Sequence, residues 1–88
     1  MTDENEEFIF ANAFLRRTKE ARERTAWTQE FVAQALGVPL ERYKKYEQRT
    51  LMPHYLLDHF CTLVGVDIEW LMTGRRRAVA KVEKGRRA

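Results

Sequence analysis

Apolar and polar residues alternate with helical spacing in five segments of this 88-residue chain, and no segment has the two-residue alternation of a strand. The first segment runs from about Phe8 to Arg24. Its apolar stripe recurs every three or four residues, as one helix face requires, and consists of Phe10, Phe14, Thr18, Ala21 and Thr25. The pattern predicts an all-α protein.

Residues that favour helix ends mark the second and third segments. The second predicted helix begins at Thr28, a good N-cap, and ends at Gly37, which adopts the left-handed conformation easily. The third runs from Pro39, whose fixed φ suits a first helical position, to about Gln48. A loop over residues 49–53 follows.

Two further helices are predicted in the C-terminal half. The fourth spans about 54–64 and ends at Gly65, and the fifth starts at the N-cap Asp67 and ends at Gly74. In the fourth helix the residues expected to face the core are Leu56, Leu57, Phe60, Cys61, Leu63 and Val64. The fifth carries the apolar residues Ile68, Trp70, Leu71 and Met72. Because the links after Gly37 and Gly65 are very short, neighbouring helices must cross at steep angles in a compact five-helix fold.

Charge is distributed unevenly and divides the chain into three parts. Residues 1–7 hold four acids and no base, whereas residues 75–88 hold seven bases and one acid. The net charge of +3 therefore reflects the ends of the chain, and residues 8–74 are nearly neutral. We expect a flexible acidic N-terminus over 1–7, a single helical domain over 8–74 and a basic C-terminal tail over 75–88.

The composition excludes several classes of function. Serine is absent, and the threonine, aspartate and histidine residues do not group into a nucleophile with its base, so no enzyme is expected. His54, His59 and Cys61 lack the spacing of metal ligands, and neither a metal nor a cofactor is expected; Cys61 fits a core position better. The longest apolar run is far below the roughly twenty residues of a membrane span, and the acidic start is unlike an export signal. A cytoplasmic protein is expected.

Several short motifs, in order and at fixed spacing, resemble a known family. They are Thr28-Gln29, Val32-Ala33, Leu36-Gly37-Val38, Tyr46-Glu47, Leu63-Val64-Gly65-Val66 and Trp70-Leu71-Met72-Thr73-Gly74. Over about residues 14–74 the chain resembles the phage-repressor and Cro family of helix-turn-helix domains, also called the xenobiotic-response-element family, with its lambda-repressor-like fold. The resemblance implies a nucleoid-associated transcriptional regulator of the repressor type that binds duplex DNA as a homodimer, with the third helix in the major groove.

The resemblance also implies roles for individual residues. It pairs Arg22 of the first helix with Glu47 at the end of the third, as a structural ion pair that holds the third helix at a fixed angle. The residues that it places against DNA are Gln29, Gln34 and Lys45 for phosphate or groove contacts, Leu40, Glu41, Arg42 and Lys44 for base edges, and Arg49 in the basic turn that follows.

Some positions depart from the family pattern and leave another function open. Pro39, Leu40 and Glu41 replace the small polar residues usual at the start of the third helix, and phosphate repels an acid. A protein-interaction module or an antitoxin-type partner on the same fold is the alternative. Arg49 replaces the usual glycine after Glu47, so we expect that turn to be built differently.

The aromatic segment 8–14 fits two interpretations. The favoured one is an N-terminal helix that packs against Phe31 or the last helix. The other is an exposed apolar patch used for self-association.

Overall fold

Five helices account for most of residues 3–75, the part of the chain that the computed structural model describes, with side chains from Asn5 onward. They are α1 (Asp3–Glu23), α2 (Gln29–Leu36), α3 (Leu40–Gln48), α4 (His54–Val64) and α5 (Ile68–Thr73). The described residues form no strand, so the predicted all-α class is confirmed. None of these five helices is long and apolar enough to cross a membrane.

The first helix begins earlier than the sequence pattern predicts. It starts at Asp3 rather than near Phe8, so residues 3–7 are helical and the prediction of a flexible segment is wrong for them. Acidic residues near a helix N-terminus are stabilised by the unpaired N–H groups and the macrodipole. An acidic segment therefore extends this helix instead of ending it. The basic tail from residue 76 onward lies outside the described residues.

Local capping fixes both ends of α2. The hydroxyl of Thr28 accepts a hydrogen bond from the N–H of Phe31 at 3.0 Å, and Gly37 ends the helix with a left-handed φ of 77°. Both ends agree with the predicted ones. Pro39 differs from the prediction: with φ −62° and ψ 147° it is the N-cap of α3, and the helix starts one residue later, at Leu40.

The turn after α3 uses no left-handed residue. Arg49 has a φ of −156°, and the N–H groups of Arg49 and Thr50 both donate to the carbonyl of Lys45, at 2.9 and 2.8 Å. An arginine can therefore occupy a position where a left-handed turn would favour glycine.

The last helix is capped at both ends as predicted. The carboxylate of Asp67 accepts hydrogen bonds from the N–H groups of Glu69 and Trp70, and Gly74 ends the helix with a φ of 81°. Gly74 also lies against α1, because a Cβ there would come within 3.0 Å of Nη1 of Arg17. Two constraints thus favour glycine at this position: the left-handed φ and the close contact.

The core lies where all five helices meet. The helix α1 contacts α3 and α5, α2 contacts α3 and α4, and α4 contacts α5. The largest fully buried side chains are Tyr43, Phe60, Leu71, Val32 and Thr18. In α4 the predicted inward residues are buried, apart from the partly buried Leu63. In α5, Leu71 is fully buried, Trp70 and Met72 are partly buried against the core, and Ile68 is 42% exposed.

The aromatic segment of α1 divides between the core and the surface. Phe14 is buried and stacks on Phe10 at 5.8 Å, but Phe8 and Ile9 are 69% and 65% exposed. Successive helical residues lie about 100° apart, so Phe8, Ile9 and Phe10 point in different directions around α1, and the core does not cover all three. The favoured interpretation, packing against Phe31 or the last helix, is wrong for Phe8 and Ile9.

Candidate functional site

The third helix has one buried face and one exposed face. Tyr43, Tyr46 and Glu47 are spaced three and four residues apart and are all buried. The opposite face is exposed and carries Glu41, Arg42, Lys45 and Gln48, with Arg49 in the turn that follows. Amphipathic spacing therefore turns a charged surface of α3 away from the core.

A bidentate ion pair joins this buried face to α1. The Nε atom of Arg22 lies 2.6 Å from Oε2 of Glu47, and Nη2 of Arg22 donates to Oε1 at 3.2 Å. The Glu47 side chain is 1% exposed and that of Arg22 is 13% exposed. Two parallel hydrogen bonds between a guanidinium and a carboxylate fix the angle between their two helices more tightly than a single contact would.

Further donors satisfy the buried carboxylate. The hydroxyl of Tyr43 donates to Oε2 of Glu47, and the Nε2 group of Gln29 donates to Oε1 at 3.0 Å. Arg22 also donates from Nη1 to the carbonyl of Trp27, at 2.8 Å. We call Arg22, Gln29, Tyr43 and Glu47 the Glu47 network; it connects α1, α2 and α3 and gives each carboxylate oxygen two donors. A buried charge with this many hydrogen bonds is stable in place.

The network keeps its donors protonated. The hydrogen bond to Glu47 raises the pKa of Arg22 above its already high ordinary value. Burial, and then the bond to Glu47, raises the pKa of Tyr43 far above the ordinary value for a phenol. Arg22 therefore stays charged and Tyr43 stays neutral throughout the physiological range, so both keep their hydrogen atoms for Glu47 there.

Two of the predicted DNA-contacting residues have contacts within the protein. Gln29 is partly buried and uses one amide hydrogen on Glu47, and its phosphate contact stays a prediction. Leu40 is partly buried and packs against the core, which differs from the expectation that it faces base edges. As the first residue of α3 it is next to the turn that brings the chain back to the core.

The other predicted residues lie at the surface. Gln34, Glu41, Arg42, Lys45 and Arg49 are exposed, and Lys44 is half-exposed. Glu41 and Lys44 form an ion pair of 3.6 Å between Oε2 and Nζ. Arg42, Lys45 and Arg49 make no ion pair with another described residue. The exposed surface of α3 and its turn thus carries four bases and one acid.

Sequence reasoning missed the role of Arg17. This arginine is only 9% exposed, and it donates from Nε to the carbonyl of Leu71 at 2.8 Å and from Nη2 to the carbonyl of Met72 at 3.0 Å. Burial, with a smaller effect from the charge of Arg16, lowers its pKa. A signal was present in the sequence, since Arg17 falls three residues after Phe14 and four before Ala21, on the apolar face.

The described side chains contain no arrangement suited to metal binding. Within them no group of three or more His, Cys, Asp or Glu residues could hold an ion. Cys61 is buried in the core, as predicted.

Comparisons with known proteins give no further information on this site. No protein-family model, no curated protein and no solved structure matches the chain.

Proposed function

We propose that α2 and α3 form a helix-turn-helix and that the protein binds duplex DNA with α3 in the major groove, as a transcriptional regulator of the repressor type. A short link of three residues, 37–39, joins the two helices. The left-handed Gly37 turns the chain sharply, which suits two helices that cross at a steep angle. An α helix has the width that the major groove admits.

The observation that carries this proposal is the contrast between the two faces of α3. Its inner face is held by two buried tyrosines and the Glu47 network, so the helix is rigid. Its outer face presents Arg42 and Lys45, which no acid among the described residues pairs. A rigid helix with unpaired cations on one exposed face is suited to contact a phosphate backbone and the base edges between the strands.

The favourable electrostatic contribution to DNA binding comes from counterions that the phosphates release when the protein binds. Each cation that neutralises a phosphate should add about 0.9 to the slope of log affinity against log salt. Arg42 is in addition able to grip guanine with two hydrogen bonds, through O6 and N7. Lys45, as a point charge, is better suited to phosphate.

We further propose that the protein acts as a homodimer. Dimers of helix-turn-helix domains meet two half-sites about 34 Å apart, so the operator should be nearly palindromic. The exposed Phe8 and Ile9 are candidates for the dimer contact, since removing two neighbouring large apolar side chains from water is favourable. Such a regulator would be found in the cytoplasm, on the nucleoid.

Fluorescence anisotropy with random-sequence duplex DNA over a range of salt concentrations tests the proposal. We expect the Arg42→Ala/Lys45→Ala variant to bind weakly, with a salt slope smaller by about 1 to 2, because the loss of Lys45 removes one phosphate contact and the loss of Arg42 removes a second cation from the DNA-facing surface. The matched control is Arg16→Ala/Lys19→Ala, which removes two exposed cations from α1. The control should keep both the affinity and the slope.

Two outcomes would contradict the proposal. If both double variants lose binding equally, the net charge of the protein governs affinity rather than α3. If the full chain does not bind duplex DNA at low salt, the helix-turn-helix function is wrong.

The alternative is a protein-interaction module or an antitoxin-type partner. The exposed pair Phe8 and Ile9 favours it, because apolar residues at the surface often mark protein contacts. A Phe8→Ser/Ile9→Ser variant distinguishes the two functions. If DNA is the ligand, the variant should still bind a single half-site through α3, although it loses the dimer. If the Phe8 and Ile9 surface is the functional one, the variant should lose a protein partner, and the wild type should show no α3-dependent DNA binding.

A further inference from the structure

The only acid on the exposed surface of α3 within the described residues is close to a base. Oε2 of Glu41 lies 3.6 Å from Nζ of Lys44, one helical turn away. The Glu41 side chain is 81% exposed and that of Lys44 is 40% exposed. Exposed pairs of this kind hold together weakly, so both groups remain free to change partners when a ligand approaches.

A carboxylate on a DNA-facing surface needs a hydrogen-bond donor, because phosphates repel it. In the major groove, cytosine offers one through its N4 amino group, and the guanine paired with it offers two acceptors, O6 and N7. Guanine O6 and cytosine N4 are themselves hydrogen-bonded, about 2.9 Å apart. An ammonium and a carboxylate that already lie 3.6 Å apart match this spacing.

The order of groups along the base pair favours G·C over A·T. On the major-groove edge of G·C, the donor cytosine N4 lies at one end, next to the acceptors O6 and N7 of guanine. A carboxylate can therefore accept from the donor while an ammonium donates to the acceptors. In A·T the adenine amino group lies between two acceptors, N7 and thymine O4. A carboxylate placed over that amino group would be repelled from both sides.

We infer that Glu41 and Lys44 act as one unit that reads a single G·C pair, with Glu41 on cytosine N4 and Lys44 on guanine O6 and N7. This inference rests on the proposed function and names the base pair that the same surface selects. In the free protein the two side chains lie close together in a weak ion pair, and binding exchanges that pair for two charge-assisted contacts to one base pair.

Selection from a randomised duplex library, with the full chain, tests the inference. The wild type should enrich sites with one fixed G·C pair in each half-site, and replacing that pair by A·T should weaken binding by roughly five- to 150-fold. Glu41→Gln should lose this preference or shift it to A·T, since an amide matches adenine N6 and N7. Lys44→Ala should weaken the preference at the same base pair and leave other positions unchanged.

The matched control is Glu20→Gln, which removes the same charge from an exposed position of α1. It should select the same sites as the wild type. Because Glu41 and Lys44 are solvent-accessible, their variants should keep the helical circular dichroism of the wild type, which separates altered recognition from unfolding.

The outcome of the selection separates two claims: that Glu41 and Lys44 recognise one base pair together, and that α3 binds DNA. If Glu41→Gln selects the wild-type site, or if Glu41 and Lys44 govern different base pairs, the paired reading is wrong while DNA binding through α3 stands. If the wild type enriches no site and binds no duplex, both the inference and the proposed function are wrong.

Discussion

Cys61 shows how burial changes the chemistry of a single residue. It lies on the inner face of α4, where burial first, and the negative charges of Asp67 and Asp58 second, raise the pKa of the thiol from 9.0 to about 11. The folded protein therefore favours the neutral thiol. This contribution to stability is complete below pH 9 and is lost as the pH rises towards 11, because the unfolded thiol ionises first.

Cys61 should consequently react slowly with alkylating reagents. At pH 8 the raised pKa lowers the thiolate fraction by about a hundredfold relative to an unfolded cysteine, and restricted access slows the reaction further. Iodoacetamide labelling, followed by mass spectrometry with and without urea, measures the ratio. Equal rates in the two conditions would show that Cys61 is accessible in the folded protein.

At the scale of elements, the orientation of α3 depends on a carboxylate that is fully enclosed. Glu47 receives hydrogen bonds from α1, α2 and α3 itself, so one side chain coordinates three helices. Removing the carboxylate would leave the Arg22 guanidinium facing a cavity, with its hydrogen bond to the Trp27 carbonyl but without its buried counter-charge. Such a loss costs far more than a surface ion pair contributes.

Glu47→Ala should therefore lower the free energy of unfolding by about 3 kcal/mol or more. Glu41→Ala, in the same helix but exposed, is the control and should cost less than about 1 kcal/mol. Urea denaturation of both variants measures the difference.

A double variant tests the coupling between the two partners. In Arg22→Met/Glu47→Leu the loss of unfolding free energy should be smaller than the sum of the losses of Arg22→Met alone and Glu47→Leu alone, because no charge is left buried. Additive losses would contradict a coupled pair.

At the scale of the whole molecule, Arg17 connects the first helix to the last. Its two hydrogen bonds reach carbonyl groups at the C-terminal end of α5, which carries a partial negative charge. Leu71, fully buried, is held in the core beside this contact. The buried Arg17 thus joins α1 to α5, across more than fifty residues of the described chain.

Arg17→Met should destabilise the fold by about 2–3 kcal/mol, since hydrogen bonds to a charged group are lost while the volume is kept. Hydrogen exchange should increase first in α5, where two carbonyls lose their donor. The exposed neighbour Arg16→Met is the control and should change stability by less than about 0.5 kcal/mol. Uniform exchange across all five helices would contradict a local role at α5.

The helix ends were predictable because they depend on local chemistry. Thr28, Gly37, Asp67 and Gly74 cap their helices through hydrogen bonds or a left-handed φ that involve only neighbouring residues. The apolar stripe does not show the start of α1, because residues 3–7 are all polar and acidic side chains stabilise the helix there through its N-terminus. Periodicity also identified the buried face of α4, since every predicted inward residue except Leu63 is buried there.

The candidate site was predictable only in part. The resemblance indicated Arg42 and Lys45 as DNA-contacting residues, and both side chains are exposed. The sequence did not indicate that Gln29 donates a hydrogen bond to Glu47, or that Leu40 packs against the core. Those facts depend on how α2 and α3 cross, which is set by contacts between residues far apart in the sequence.

By itself, the sequence determined the number of helices in residues 3–75, most of their ends and the charge of the α3 surface. All of these follow from the 3.6-residue repeat and from interactions within one turn. Only the tertiary structure decided that Arg17 is buried and that Phe8 and Ile9 are exposed. A repeat shows which residues share a face, but whether that face is covered depends on where the other helices lie.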